Sequence, residues 1–214
     1  MDEGRIHLQL ALDRGQTDEL LAVARLAAPY VDWIEAGTPW IISQGLSVVG
    51  ELRRAFADKR IVADLKIADA GELEAEMAFG AGADIVSVLG VAGDLTLKAA
   101  LRAAEGHRGR IVVDLLHVPE PANRAREAIA LGASLVVYHV AHDDLAGGRG
   151  RLPDVPQEAR GALVVAGGIR LEDIRAVARF RPMAVVVGRA ITEAPDPEAA
   201  ARAFREALDR EARR

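Results

Sequence analysis

Short runs rich in valine and isoleucine recur eight times along the 214 residues, each followed by a stretch of helical period. Such runs, near-continuously apolar rather than alternating, suit strands buried on both faces of a parallel sheet, and the intervening stretches suit the helices that cover them. The runs fall at 6–13, 31–36, 60–64, 83–89, 110–115, 134–139, 163–166 and 183–187. In the stretch 17–28, Leu20, Leu21, Ala24, Ala27 and Ala28 share one face, and in 197–213 Ala200, Ala203, Phe204, Ala207 and Leu208 do. Thr17 is read as the N-cap of the first helix and Asp196, before Pro197, as that of the last. Eight pairs of about 27 residues each make a compact α/β fold, a (β/α)8 TIM barrel in which residues 1–214 form a single domain. An open doubly wound sheet is the alternative, but no GxGxxG follows the first run. Gly147-Gly148-Arg149-Gly150, with Pro153 and Pro156 behind it, reads as a mobile loop after strand six.

Composition narrows the chemistry. A net charge of −5 offers no broad basic field for nucleic acid or anionic lipid. No apolar run approaches the roughly 18 residues of a membrane span, and the first residues lack the apolar stretch of a secretion signal, so a soluble cytoplasmic protein is expected. With no cysteine, thiolate metal sites and thiol nucleophiles are excluded. Oxygen, nitrogen and a hard metal remain.

In a barrel, catalytic groups sit at the C-terminal ends of the strands. Those ends carry Asp13, Glu35, Asp64 with Lys66 and Asp69, Asp114 and His139, while strands seven and eight end in Gly167-Gly168 and Gly188-Arg189. Any one carboxylate there suits a solvated or capping role; six ionisable strand ends converging on one mouth suit a site. In Asp64-x-Lys66-x-x-Asp69, two-residue periodicity places Asp64 and Lys66 on the same side of an extended chain. A lysine between two carboxylates stays charged and can stabilise an oxyanion, where the bland alternative is a surface ion-pair ladder. Glu35 and Asp64, on adjacent strands, suit Mg²⁺, which takes one or two carboxylates and completes its shell with substrate oxygens and water. His139 ends the apolar run Leu135-Val136-Val137-Tyr138, as either a rim histidine or a catalytic one. Gly168, Gly188 and Arg189 suit a phosphate, approached by backbone N–H groups and gripped by a guanidinium. The bland alternative is glycine at tight corners.

These residues resemble a known group. Asp64-Leu-Lys66-Ile-Ala-Asp69-Ala-Gly71, Glu35-Ala-Gly-Thr-Pro39, Gln9-Leu-Ala-Leu-Asp13, Val165-Ala-Gly-Gly168 and Gly188-Arg-Ala-Ile-Thr192 look like the orotidine 5′-phosphate decarboxylase suprafamily. The branch they resemble holds 3-hexulose-6-phosphate synthase and 3-keto-L-gulonate-6-phosphate decarboxylase, and the likeness runs from about residue 7 to 208. It implies a Mg²⁺-stabilised cis-enediolate made from a phosphorylated ketose. Carried over, Glu35 and Asp64 bind the metal, Lys66 stabilises the enediolate, and His139 moves the proton. Asp13 then lies at the substrate hydroxyls, Gly168, Gly188 and Arg189 lie at the phosphate, and Asp69 reaches the partner's mouth in a homodimer with shared active sites.

Within the branch, the decarboxylase pattern has glutamate at 114, arginine at 142 and threonine at 166; here stand Asp114, His142 and Ala166. Asp114, Ala166 and Gly37-Thr38-Pro39 follow the synthase, whereas Lys66-Ile67-Ala68-Asp69, Val137-Tyr138-His139 and Arg189 read more like the decarboxylase. His142 fits neither and leaves room for a related ketose phosphate. The shorter carboxylate at 114 and the methyl at 166 enlarge the pocket for a second substrate such as formaldehyde, which favours the synthase. A non-catalytic sugar-phosphate binder is the reading from another class; keeping Lys66 with both metal ligands argues against it.

Overall fold

The computed structural model describes residues 5–146 and 157–213. Eight parallel strands close in chain order, β1 (His7–Leu12), β2 (Trp33–Ala36), β3 (Arg60–Ile67), β4 (Ile85–Leu89), β5 (Arg110–Asp114), β6 (Leu135–His139), β7 (Leu163–Ala166) and β8 (Ala184–Val187), and β8 pairs back onto β1. The barrel read from the sequence is the fold, in one domain.

Helices alternate with the strands: α1 (Thr17–Ala27), α2 (Thr38–Gln44), α3 (Ser47–Ala55), α4 (Gly71–Ala81), α5 (Asp94–His107), α6 (Pro121–Ala130), α7 (His142–Ala146), α8 (Ile174–Ala178), α9 (Arg189–Thr192) and α10 (Pro197–Ala212). Two of these, α2 and α9, are short extra helices on the exits of β2 and β8. After β7 the helix α8 is only five residues long, and after β6 five residues of α7 are described. The glycine-rich segment read as a mobile loop, 147–156, lies outside the described residues. Among the described residues no helix is long and apolar enough to cross a membrane.

The caps differ in one place. Asp196 caps α10 as expected, accepting the Ala199 N–H at 2.9 Å. Thr17 is instead the first helical residue of α1, and the N-cap is Gln16, whose N–H donates to the Glu19 carboxylate at 3.1 Å. The reciprocal reach of a glutamate at the third helical position decides the start, not the hydroxyl beside it.

Alternate residues of each strand point into the lumen. Trp33, Val62, Ile85, Val112, Leu135, Val164 and Ala184, one from each of β2 to β8, pack there in a cluster separate from the larger core between sheet and helices. At roughly 1.5–3 kcal/mol for each large apolar side chain buried, this plug is a main source of the barrel's rigidity. Two residues further along, the same strands carry Glu35, Asp64, Ser87 and Asp114 on β2 to β5, but Val137, Ala166 and Val186 on β6 to β8. The lumen above the plug is therefore polar on one side and apolar on the other.

The opposite end is tied by Asp32, just before β2. Its Oδ2 accepts from the Leu8 N–H (2.9 Å) and Arg205 (3.0 Å), and its Oδ1 accepts from Arg5 (2.8 Å). Arg205, from α10, also donates to the Ile6 carbonyl at 3.0 Å and pairs with Asp209 at 2.7 Å. It is buried where the periodicity places an outward residue, so the inner face of α10 holds Phe204, Ala207 and Leu208 as expected together with Ala201 and Arg205, with Ala200 packed at its edge. Burial favours the neutral acid of Asp32, but His7, the Leu8 N–H and Arg5 outweigh it and bring the carboxyl down from 3.8 to about 2. A lowered carboxyl stabilises the fold above its unfolded pKa and loses that effect as pH falls through the folded one. Asp32→Asn is expected to cost on the order of 1–2 kcal/mol at neutral pH. Urea unfolding of both chains from neutral pH into acid checks this: the gap closes as pH falls through 3.8 toward 2, and a constant gap refutes the role.

Candidate active site

The chain forms the site by breaking its own strand. Between the pairs Ala63↔Val86 and Ile67↔Val88, three residues of β3 lie opposite one of β4. Lys66 takes a left-handed backbone, φ 52°, inside this bulge. Such a conformation costs a non-glycine residue about 1–2 kcal/mol, comparable to what a hydrogen bond returns, about 0.5–1.5 kcal/mol. The bond is present: the Lys66 N–H donates to Ser87 Oγ at 2.8 Å. Asp64 and Lys66 do meet, their side chains forming an ion pair. The bulge brings them together, in place of the unbroken two-residue alternation expected of the strand.

Asp64 is held from both sides. Ser87 Oγ donates to its Oδ1 at 2.7 Å, and the Thr38 hydroxyl lies 2.8 Å from its Oδ2 and 2.6 Å from its carbonyl oxygen. The second carboxylate beside Lys66 is Asp114, 3.6 Å from Nζ, and not Asp69. Burial opposes the lysine's charge, but Asp64 first, then Asp114, outweigh it and raise the ammonium above its usual range. Lys66 is a fixed cation and no base at neutral pH.

Asp114, read at the substrate, is buried and gives both oxygens to protein partners. Oδ2 lies 2.9 Å from His139 Nδ1, and Oδ1 accepts the Leu116 N–H at 3.0 Å. Burial raises its carboxyl, yet His139 and Lys66 outweigh that and the net shift is downward. An ionised carboxylate only accepts, so Nδ1 carries the proton to Asp114 and Nε2 is left for other work. Glu35 is buried and accepts from Gln9 Nε2. Burial, then Asp64 and Asp13, push its carboxyl well above the carboxylate range. Burial and Asp64 also raise Asp13, against Lys66 and His139. Asp13 lies against Gly37, where a Cβ would stand 2.1 Å from its Oδ1.

Glu35 and Asp13, both raised by burial and by the charge of Asp64, form with it an acidic donor set for a hard cation. Among the described residues no three metal-binding side chains form a cage, so Glu35 and Asp64 fit Mg²⁺ only as a two-carboxylate site completed by other oxygens.

Of the remaining described residues Gly188 lies against Asp13, where a Cβ would stand 3.5 Å from its Oδ2, and the others make no bond to this array. Asp69 is exposed, its Oδ1 accepting the Ala70 N–H at 2.8 Å, just ahead of α4. His142 is exposed beside Asp143. Gly168 and Gly188 leave β7 and β8, and Arg189 opens α9, exposed. Gly167 has φ 102° and would place a Cβ 2.3 Å from the Val140 carbonyl oxygen, so its glycine answers to packing. Three partners were missed from the sequence: Gln9, Thr38 and Ser87. A lone polar residue inside the apolar run 85–89 was the available signal for Ser87.

The orotidine 5′-phosphate decarboxylase / HUMPS family model matches residues 7–204. The chain belongs to this family. It is 44% identical over 208 residues to 3-hexulose-6-phosphate synthase of Mycobacterium gastri, covering 94% of this chain and 99% of that one. The solved 3-hexulose-6-phosphate synthase of Salmonella typhimurium has a TM-score of 0.89 at 34% identity, over 96% of this chain and 100% of that one. The solved 3-keto-L-gulonate-6-phosphate decarboxylase of Vibrio cholerae has a TM-score of 0.84 at 31% identity, over 96% of this chain and 98% of that one. Relatives of both kinds are carbon–carbon lyases, aldehyde-lyases and carboxy-lyases respectively.

If Arg189 grips a substrate phosphate, it binds ground and transition states alike. Arg189→Ala is then expected to raise KM far more than it lowers kcat. Steady-state kinetics on a phosphorylated sugar and its unphosphorylated counterpart check this; equal loss of affinity for both overturns the role.

Proposed function

We propose that this chain is a Mg²⁺-dependent sugar-phosphate lyase acting through a cis-enediolate, and that its reaction is that of 3-hexulose-6-phosphate synthase, joining formaldehyde to D-ribulose 5-phosphate. The observation that carries the lyase reading is the array at the mouth, Lys66 held charged between Asp64 and Asp114 with His139 on the same aspartate. The 44% identity to a synthase favours that reaction, as do Asp114 and Ala166.

In the proposed reaction His139, its Nδ1–H fixed by Asp114, takes a proton from C1 of the ketose through Nε2. Lys66 meets the negative charge that develops on the C2 oxygen. The C1 carbon then bonds to the carbon of formaldehyde, whose C=O π pair becomes an alkoxide, and that alkoxide takes the proton held at His139 Nε2. Glu35 and Asp64 would hold Mg²⁺, which supplies further positive charge beside the substrate oxygens. Asp13, with its raised pKa, suits hydrogen bonding to a hydroxyl. The second reading is a decarboxylase: carbon dioxide leaves a β-keto acid, the same charge is met by Lys66, and a proton from solvent passes through His139 Nε2 to the carbon that carried the carboxylate. The 31%-identical decarboxylase supports it.

Formaldehyde fixation on D-ribulose 5-phosphate, assayed beside decarboxylation of 3-keto-L-gulonate 6-phosphate, separates the two. The first is expected to dominate, to vanish with EDTA and to return with Mg²⁺. Full activity after exhaustive chelation sinks the metal assignment, and turnover of the keto acid alone favours the second reading.

The working unit in this proposal is a homodimer with composite sites. Asp69 faces solvent, and of the seven exposed large apolar residues among those described, Ile42, Leu73, Met77, Val91 and Leu95 lie on α2, α4, the β4–α5 turn and α5, the elements around it. Mixing inactive Lys66→Ala with inactive Asp69→Ala should restore up to about a quarter of wild-type activity, since each heterodimer keeps one intact mouth. Mutants that exchange subunits yet recover nothing would falsify the shared site.

A further inference from the structure

Ser87 is buried at 3% exposure in the middle of β4, in the lumen layer to which the other strands from β2 to β5 give Glu35, Asp64 and Asp114. It faces the bulge by itself: Asp64, Leu65 and Lys66 occupy the interval that β4 spans with this one residue. Its hydroxyl donates to Asp64 Oδ1 at 2.7 Å and accepts the Lys66 N–H at 2.8 Å. A serine hydroxyl has one proton and two lone pairs, so the direction of both bonds is fixed. A backbone N–H has no acceptor role, and an ionised carboxylate has no proton to give.

We propose that Ser87 is a positioning residue for the lyase reaction: its one hydroxyl replaces the ladder bond that the β3 bulge gives up, fixing the Lys66 backbone and the Asp64 carboxylate together. The residue touches no substrate in this role. It sets where the ammonium and the carboxylate stand relative to each other. Thr38 holds Asp64 from the other side but makes no bond to Lys66, so it does not duplicate the link. With Ser87 changed to alanine the Lys66 N–H faces a methyl group, and the left-handed turn at 66 loses its partner. A loss of placement at the reacting centre lowers kcat, while groups that bind the remote end of the substrate keep KM.

The proposal rests on Lys66 and Asp64 being the pair that handles the substrate, so the test has one readout that does not depend on turnover. Ser87→Ala, Ser87→Val and Ser87→Thr are compared with the wild-type protein in two measurements. The first is kinetics: Ala and Val are expected to lower kcat roughly 10–100-fold, as loss of a supporting hydrogen bond does, with KM changed less than about threefold. Thr, which keeps the hydroxyl, is expected to stay within about threefold of wild type. The second is hydrogen exchange at the Lys66 amide by NMR, expected to be at least about tenfold faster in Ala and Val and restored in Thr. Thr and Val have the same shape, so their difference reports the hydroxyl even where Ala fails to fold. An Ala variant with kcat within about twofold of wild type, a Thr variant as slow as Val, or unchanged exchange at Lys66 overturns the proposal. If the wild-type protein turns over neither sugar phosphate, the functional reading fails by itself, and the exchange data still decide whether Ser87 holds the bulge.

Discussion

A closed barrel of eight parallel strands makes every strand give alternate residues to one narrow lumen, and everything else in this molecule follows from how that space is divided. The lower layer is filled by seven apolar side chains from Trp33 to Ala184. Water is excluded there, so the carboxylates two residues above stand on a low-dielectric floor. Charges placed so interact strongly with each other and poorly with solvent. That is why Glu35 and Asp114, in the same layer, depart from ordinary carboxylate behaviour in opposite directions.

The direction of each shift follows from the nearest neighbour. Asp114 has His139 and Lys66 beside it, and their hydrogen bond and charge overcome burial. Glu35 has Asp64 and Asp13 near it, with only Gln9 bonded to it directly, so burial wins. One lysine serves several acids, and it sits nearer Asp64 and Asp114 than the others. On the β1–β2 side of the mouth Asp13 and Glu35 have no cation bonded to them among the described residues, and on the β3–β5 side Lys66 is shared by Asp64 and Asp114. On the proposed reading a divalent cation belongs beside the unpaired acids, and the oxyanion meets Lys66.

The strands were legible because a parallel barrel buries both faces of each, and valine and isoleucine runs such as 110–114 and 184–187 announce that directly. The strand ends were legible too, since ionisable residues after such runs have nowhere else to go than the mouth. What could not be read was local geometry set by a neighbour. The β3 bulge depends on Ser87, twenty-one residues away, and no periodicity within 60–67 reports it. The second carboxylate on Lys66 comes from β5, not from the nearby Asp69, because closure brings strand ends together in space that are distant in sequence. Buried Arg205 escaped for the same reason: its partners are Asp32 and the Ile6 carbonyl at the other end of the chain.

The division of the lumen also separates what the two candidate reactions share from what distinguishes them. On the proposed reading both require negative charge to be met on the same ketose oxygen, and Lys66, with the cation that Asp64 and Glu35 would hold, lies on the β2 and β3 side, with Asp114 and His139 supporting it from β5 and β6. The reactions differ in whether a one-carbon electrophile enters or leaves at C1. That difference falls on space and polarity around His139, whose register partner on β7 is Ala166. A methyl at that point, facing an apolar wall continued by Val137 and Val186, gives a small neutral molecule room and offers no hydrogen-bond donor to a carboxylate. On the proposed reading, a lumen polar on one side and apolar on the other stabilises an enediolate against β2 to β5 while admitting formaldehyde from β6 to β8.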